Sequence, residues 1–323
     1  MKGKPHVTQT SIKLTGFRIG HAHDASVKTG VTVILPDAPA RCSVDVRGGG
    51  PGTRETAALQ DGGLIDKVHA ITLAGGSVYG LGAADSVTAW LGHKGIGYHA
   101  YDNVPVSPIV PSAILFDNAN GGNKDWGTTP PFARLGLAAC EAASSESFEG
   151  KFGAGYGATA GLYEGGMGLA SETLGGITIT AIIASNPIGS PYMPGTSCPW
   201  AWPYEVDSEF GGTRQSPDYK ASPAKDTKLS RITAAGQATI IGAVMIDAGL
   251  SQPDLKRLAI MAQDGLPMAV QPAHTPLDGD TLFTVSIGDK PTPAPAGLAE
   301  LGAAAARCTA RAIMRGVYQA QKA

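Results

Sequence analysis

Two stretches, Thr239 to Ile246 ("TIIGAVMI") and Ile177 to Ser185 ("ITITAIIAS"), run without a single charged residue and are rich in β-branched side chains. Unbroken apolar runs of this length read as buried strands. Such strands need cover, and that requirement constrains the fold more than any other feature of the chain. Shorter runs of the same kind lie near Val31 to Leu35, Ala70 to Leu73, Ala113 to Phe116 and Leu282 to Ile287. Helical patterns fall between them, at Ala83 to Leu91, Ala133 to Ala143, Ser251 to Gly265 and Gly297 to Gln319. In the third, Ser251 is the expected N-cap and Asp254 lies in the first turn. Leu255, Leu258, Ala259 and Ala262 share a face, and Gly265 is the expected C-cap. Strands mixed with helices of this length predict a layered α/β sandwich with helices over the sheet faces.

The 323 residues allow one large domain or two smaller ones. With 43 % apolar and only 16 % charged residues, the chain is expected to bury a large core. Its 44 glycines and 23 prolines follow no collagen-like period, so they imply tight turns and close backbone approaches. A formal charge of −2 with no dense Lys/Arg run disfavours nucleic acid or an anionic membrane as partner and favours a small, near-neutral substrate. Cys42, Cys140, Cys198 and Cys308 are far apart and form no C-x-x-C pair, so they read as buried thiols and not as a metal site or a disulfide framework. Residues 1 to 17 hold no apolar signal segment and no stretch reaches membrane-spanning length, which makes cytoplasmic residence the default expectation. Pro187 to Leu229 is the least regular region. Five prolines among Pro191 to Asp218 forbid long elements there, and Trp200, Trp202 and Tyr204 make it either a loop packed on its own domain or a lid or subunit contact.

Several segments carry possible chemistry. In "HTPLDGDTLF" the carboxylates Asp278 and Asp280 flank one glycine just before a strand, where like charges crowd and ask for a donor. The plainer reading is a turn. The twelve-residue calcium-loop pattern is missing. The glycines of "FGAGYGATAGLYEGGMG" match no phosphate-binding motif; they suit close backbone packing or N–H groups aimed at an oxyanion. Tyr79 follows a Gly-Gly-Ser turn and opens a helix, where a phenol is either a packed residue or a donor to a substrate carbonyl. "HAHD", His21 to Asp24, is the one histidine cluster and lacks a third metal ligand. No G-x-S-x-G elbow is present. Thr239, at the head of a buried run, is left as a strand residue or a nucleophile.

"GFRIGHAHD", "TGVTVILP", "VDVRGGGPGTRET", "VHAITLAGGSVYGLGAADSV", "SPIVPSAILFD", "GAGYGATAG" and "PAHTPLDGDTLF" together resemble the S58 peptidases, in order and spacing, from about residue 16 to about residue 317. That family includes DmpA-type aminopeptidases, β-aminopeptidases and nylon-oligomer hydrolases. The resemblance implies a single domain over residues 1–323 with a four-layer αββα sandwich, the fold shared with the ornithine acetyltransferases. It also implies a self-processing N-terminal-nucleophile hydrolase that needs no metal or other cofactor. Cleavage between Ala238 and Thr239 would leave chains 1–238 and 239–323. Matched residue by residue, Thr239 is the implied nucleophile, Tyr79 and Asn186 help hold the substrate carbonyl and oxyanion, and Asp278 and Asp280 orient the nucleophilic group. The implied substrates are short peptides or other small amides, and the implied assembly is a homo-oligomer, by likeness a tetramer. Two positions depart from the pattern: Ala238 stands where asparagine is common, and Leu162 where nylon-oligomer hydrolases carry lysine. They admit a weakened or uncleaved relative that only binds, and the fold shared with the ornithine acetyltransferases admits an acyltransferase that passes the acyl group from Thr239 to an amine.

Overall fold

In the computed structural model of the chain, the described residues are 8–11, 16–60, 62–220, 222–223, 225–230, 238–291 and 293–323. The strands in chain order are β1 (Thr8–Ser11), β2 (Phe17–Asp24), β3 (Thr29–Pro36), β4 (Ala40–Val46), β5 (Thr53–Arg54), β6 (Lys67–Val68), β7 (Ile71–Ala74), β8 (Ser112–Ile114), β9 (Glu146–Glu149), β10 (Thr159–Ala160), β11 (Tyr163–Glu164), β12 (Gly166–Leu174), β13 (Ile177–Asn186), β14 (Thr239–Ile246) and β15 (Thr281–Ser286). The helices are α1 (Ala83–His93), α2 (Phe132–Glu141), α3 (Gln252–Ala262), α4 (Gly265–Ala269) and α5 (Pro295–Ala320).

Six strands form one sheet in the order β12-β13-β14-β15-β4-β6, and five form a second in the order β2-β3-β7-β8-β5. The two uncharged apolar runs, now β13 and β14, lie side by side in the larger sheet. There β14 pairs antiparallel with β13 and parallel with β15. Because side chains alternate across a strand, an eight-residue strand buried throughout must have cover on both faces. Ile241, Ala243 and Met245 of β14 meet Ile34, Ile71 and Leu73 of the other sheet in a core between the sheets. Ile240, Val244 and Ile246 turn the other way into a core closed by α3, α4 and α5. A third cluster seats α1 and α2 on the outer face of the smaller sheet. The layers are helix, sheet, sheet, helix, as the sandwich expectation requires.

Ser251 caps α3 as expected, its hydroxyl accepting from Asp254 N at 3.3 Å, and Leu255, Leu258, Ala259 and Ala262 are all buried. The expected cap at Gly265 does not form. The helix closes at Gln263 in a right-handed conformation, and Gly265 opens α4. A side chain there would lie 2.3 Å from Ala306 O, so this glycine serves the close approach to α5. The described part of the irregular 187–229 region is anchored on its own domain. Phe210 is buried, and Glu209 bridges Arg311 and Arg315 of α5 at 2.6 and 2.7 Å. All four cysteines are buried and free. No described helix is long and apolar enough to cross a membrane.

Candidate active site

Thr239 is the first residue of β14 and is only 2 % exposed. Two strand ends meet there. On one side Asn186, the last residue of β13, is its direct antiparallel partner. On the other, the turn before β15 forms a parallel bridge between Asp278 and Ala238. The Thr239 hydroxyl donates to the carbonyl oxygen of Ala238. The backbone N–H of Gly279, between the two aspartates, points at the same place. It lies 3.0 Å from Ala238 O and 3.1 Å from Thr239 Oγ1. The peptide carbonyl before the threonine is therefore polarised by an amide donor while a hydroxyl sits against it. The lead-in residues Ala235 to Gln237 lie outside the described residues.

Sequence reasoning did not single out Gly279, although the signal was in the Asp-Gly-Asp spacing. A Cβ at this position would come within 2.7 Å of Gly50 O and 2.8 Å of Thr239 Oγ1, so only glycine lets the amide reach the threonine.

The aspartates are brought to the site and held there by donors. Asp280 accepts from Ile240 N at 2.8 Å, from His274 N at 3.1 Å and lies 2.9 Å from His274 Nδ1. His274 adopts a left-handed φ of 54°, a conformation that both of its bonds to Asp280 help secure. Asp278 accepts from Ile188 N at 3.1 Å and from the backbone and hydroxyl of Thr275 at 2.9 and 2.6 Å. Burial and the neighbouring Asp280 push the Asp278 carboxyl above its ordinary range, against those hydrogen bonds. Asp280 sits one residue from the nitrogen that cleavage would free, through its bond to Ile240.

Asn186 is engaged at both ends of its carboxamide. Its Nδ2 donates to Phe116 O at 2.9 Å; its Oδ1 accepts from Thr159 N at 3.0 Å and from Lys228 Nζ at 2.9 Å. Lys228 was not foreseen, because nothing in "AKDTKLS" marks one lysine as buried. Asn186, Lys228, Thr159, Leu162 and Asp117 line a cavity of about 210 Å³, the size of a small side chain or acyl group. Asp117 is buried in its wall with Oδ1 on Gly76 N at 2.7 Å, and burial raises its pKa.

Tyr79 is not among the residues that line this cavity. Its half-exposed ring meets the edge of Trp126 at 5.3 Å between centroids and lines a separate depression with Asp85 and Phe132. "HAHD" is structural: His21 lies 2.9 Å from Thr32 Oγ1 and 2.8 Å from Ser147 Oγ, one on each ring nitrogen. Among the described residues no group of three His, Cys, Asp or Glu side chains is placed to hold a metal.

Comparison with known proteins gives the site its context. The sequence model of peptidase family S58 matches residues 12–323. An uncharacterised aminopeptidase of Mycobacterium tuberculosis is 40 % identical over 333 residues, covering 95 % of this chain and 92 % of the relative. A 6-aminohexanoate-oligomer endohydrolase of Kocuria is 32 % identical over 289 residues, covering 87 % and 76 %. Among solved structures, a Burkholderia β-aminopeptidase superposes with a TM-score of 0.68 at 21 % identity, over 96 % of this chain and 88 % of that one. The L-aminopeptidase D-Ala-esterase/amidase of Ochrobactrum anthropi, described as a variant of the Ntn hydrolase fold, gives 0.67 at 19 %, over 95 % and 85 %. At these identities the structures speak to fold alone.

Proposed function

This chain belongs to peptidase family S58 and is a hydrolase; on that premise we propose that it cleaves itself before Thr239 and then hydrolyses small amides through an acyl-threonine. The observation that carries the reading is the contact set at the head of β14. The Thr239 hydroxyl lies against the Ala238 carbonyl, and the Gly279 N–H donates to both oxygens. That is the arrangement an N-to-O acyl shift needs: Oγ1 attacks the Ala238 carbon, the oxyanion is held by Gly279, and as the C–N bond breaks the hydroxyl proton passes to the Thr239 nitrogen, which becomes a free α-amine. Water then hydrolyses the Ala238 ester, which frees Oγ1 and leaves Ala238 with a carboxylate. Alanine at 238 keeps the reacting carbonyl and places no side chain that would interfere.

The freed amine has an intrinsic pKa of about 7.7 to 8.0, so a useful fraction is neutral near pH 7 and can take the proton from its own Oγ1. Asp280 and Asp278 stand beside it and orient it. The substrate carbonyl is taken by the cavity on the Asn186 side. Tyr79, which lines a different depression, is assigned to the outer approach. Substrates of the class acted on by the named relatives, short peptides and aminohexanoate-type amides with a free amino end, suit this small pocket.

Intact-mass measurement tests the reading. The purified protein is expected as two polypeptides split between Ala238 and Thr239 that hydrolyse an amino-acyl p-nitroanilide, and Thr239→Ala as one uncleaved, inactive chain. A wild-type chain that stays whole on prolonged incubation and hydrolyses no such amide would sink it.

A further inference from the structure

We propose that the Lys228 side chain donates the hydrogen bond that holds the substrate's carbonyl oxygen during acyl transfer, on the face of Thr239 opposite to the one used for processing. The inference rests on the reading of Thr239 as nucleophile and adds a residue to it.

The two edges of β14 differ. On the β15 edge the Gly279 N–H is shared in the uncleaved chain by the Ala238 carbonyl and Thr239 Oγ1, and once the 238–239 bond is cut its remaining acceptor there is Oγ1 itself. On the β13 edge lies the cavity, and Lys228 is the cation in its wall. Lys228 Nζ donates to Asn186 O at 3.0 Å and to Asn186 Oδ1 at 2.9 Å, on the residue directly across the ladder from Thr239. Its backbone is fixed as well: Lys228 N donates to Ile188 O at 3.0 Å, and Ile188 N donates to Asp278. An ammonium carries three donors. Two are used, and among the described residues the third has no protein acceptor, while Lys228 lines an open cavity.

Holding an ammonium in a buried place against two neutral oxygens is costly, and folds keep such groups where chemistry uses them. Burial pushes the Lys228 pKa down to about 7, with Asp278 opposing the shift. The other charged groups nearby are Asp280 behind Asp278, Asp117 on the cavity wall, and Asp226 two residues earlier, whose carboxylate accepts from the Tyr163 hydroxyl at 3.4 Å. Asn186 of β13 and Thr159 of β10 are neutral.

In the proposed step Thr239 Oγ1 bonds to the amide carbon while its proton passes to the α-amine. The carbonyl π pair moves onto oxygen, which accepts the third N–H of Lys228 with no proton transferred. When that pair re-forms the double bond, the C–N bond breaks and the leaving nitrogen takes the proton back from the α-ammonium. Water repeats the sequence on the ester. Because the donor matters most when the oxygen is charged, its loss falls on kcat.

Steady-state kinetics of Lys228→Met, with intact mass run in parallel, decide the matter. The variant is expected to process normally, since Gly279 serves that step. Its kcat is expected to fall about 100-fold with KM changed less than about threefold. Wild-type kcat should decline on the alkaline side as the ammonium loses its proton, and that decline should vanish in the variant. Leu162 lines the same cavity and is 41 % exposed, so adding Leu162→Lys to Lys228→Met should return at least about tenfold of the loss. A lysine that merely props up Asn186 would give no such recovery. Lys228→Met with kcat within about threefold of wild type, a loss of kcat without recovery in the double variant, or a failure to process would each overturn the proposal. A wild-type chain that neither cleaves nor hydrolyses amides removes the nucleophile reading itself, and its mass spectrum alone shows which of the two has failed.

Discussion

At the scale of single residues, the site depends on one atom without a side chain. Gly279 brings its amide to both Ala238 O and Thr239 Oγ1, and any Cβ would strike Gly50 O and the hydroxyl itself. Gly279→Ala is therefore expected to slow cleavage between residues 238 and 239 at least about tenfold, the scale of loss when an oxyanion donor is displaced. Time-resolved intact mass of freshly made protein measures it, and cleavage at the wild-type rate would remove Gly279 from the mechanism. Thr239 shows the limit of residue-level reading. Its position before a buried run fits a plain strand residue equally well, and the support for a nucleophile comes from the carbonyl and amide placed around it. Tyr79 stays open at this scale: its turn-to-helix position suggests a donor, and the fold sets its ring edge-on to Trp126 with about half of the residue exposed.

At the scale of elements, α3 is the helix whose boundaries follow most directly from its residues. Ser251 both accepts from Asp254 N and donates to the Asp254 carboxylate at 2.6 Å. Ser251→Ala is expected to cost about 1 kcal/mol, the usual worth of an N-cap, read as a shift in urea midpoint with an unchanged slope. No change would show that packing of the buried face alone sets the helix. The end of α3 could not be read the same way. Glycine after an apolar stripe signals a C-cap, but Gly265 is demanded by the nearness of α5, a contact between segments some forty residues apart in sequence. The long 187–229 region likewise reads as irregular from its prolines, while its anchoring comes from Glu209 against two α5 arginines.

At the scale of the whole molecule, His21 couples the fold to pH. It is half-buried on β2 against β3 and β9, hydrogen bonded to Thr32 and Ser147, and desolvation with a smaller push from His23 lowers its pKa to about 3. An unfolded histidine titrates near 6.5, so between about 6.5 and 3 the unfolded chain binds one proton more than the folded one. Stability therefore falls as pH falls through that window, by about 1.4 kcal/mol per pH unit at full effect. The His23 pKa is also lowered by burial and acts in the same direction. Denaturant unfolding between pH 7 and pH 4 should show this slope, and His21→Gln should flatten it while lowering stability at pH 7. An equal slope in the variant would assign the effect to other groups.

By itself the sequence determined the layers and the family resemblance. Uncharged strand runs cannot stay in water, so Ile177–Asn186 and Thr239–Ile246 had to lie inside a sandwich under helices, and ordered motifs along nearly the whole chain pointed to one group of hydrolases. The tertiary structure alone decided which groups meet. Gly279 faces Thr239 across 40 residues, and Lys228 reaches Asn186 across 42. The physical reason is that burial and hydrogen-bond geometry at a site are set by strand register and loop return, which no local pattern of residues encodes.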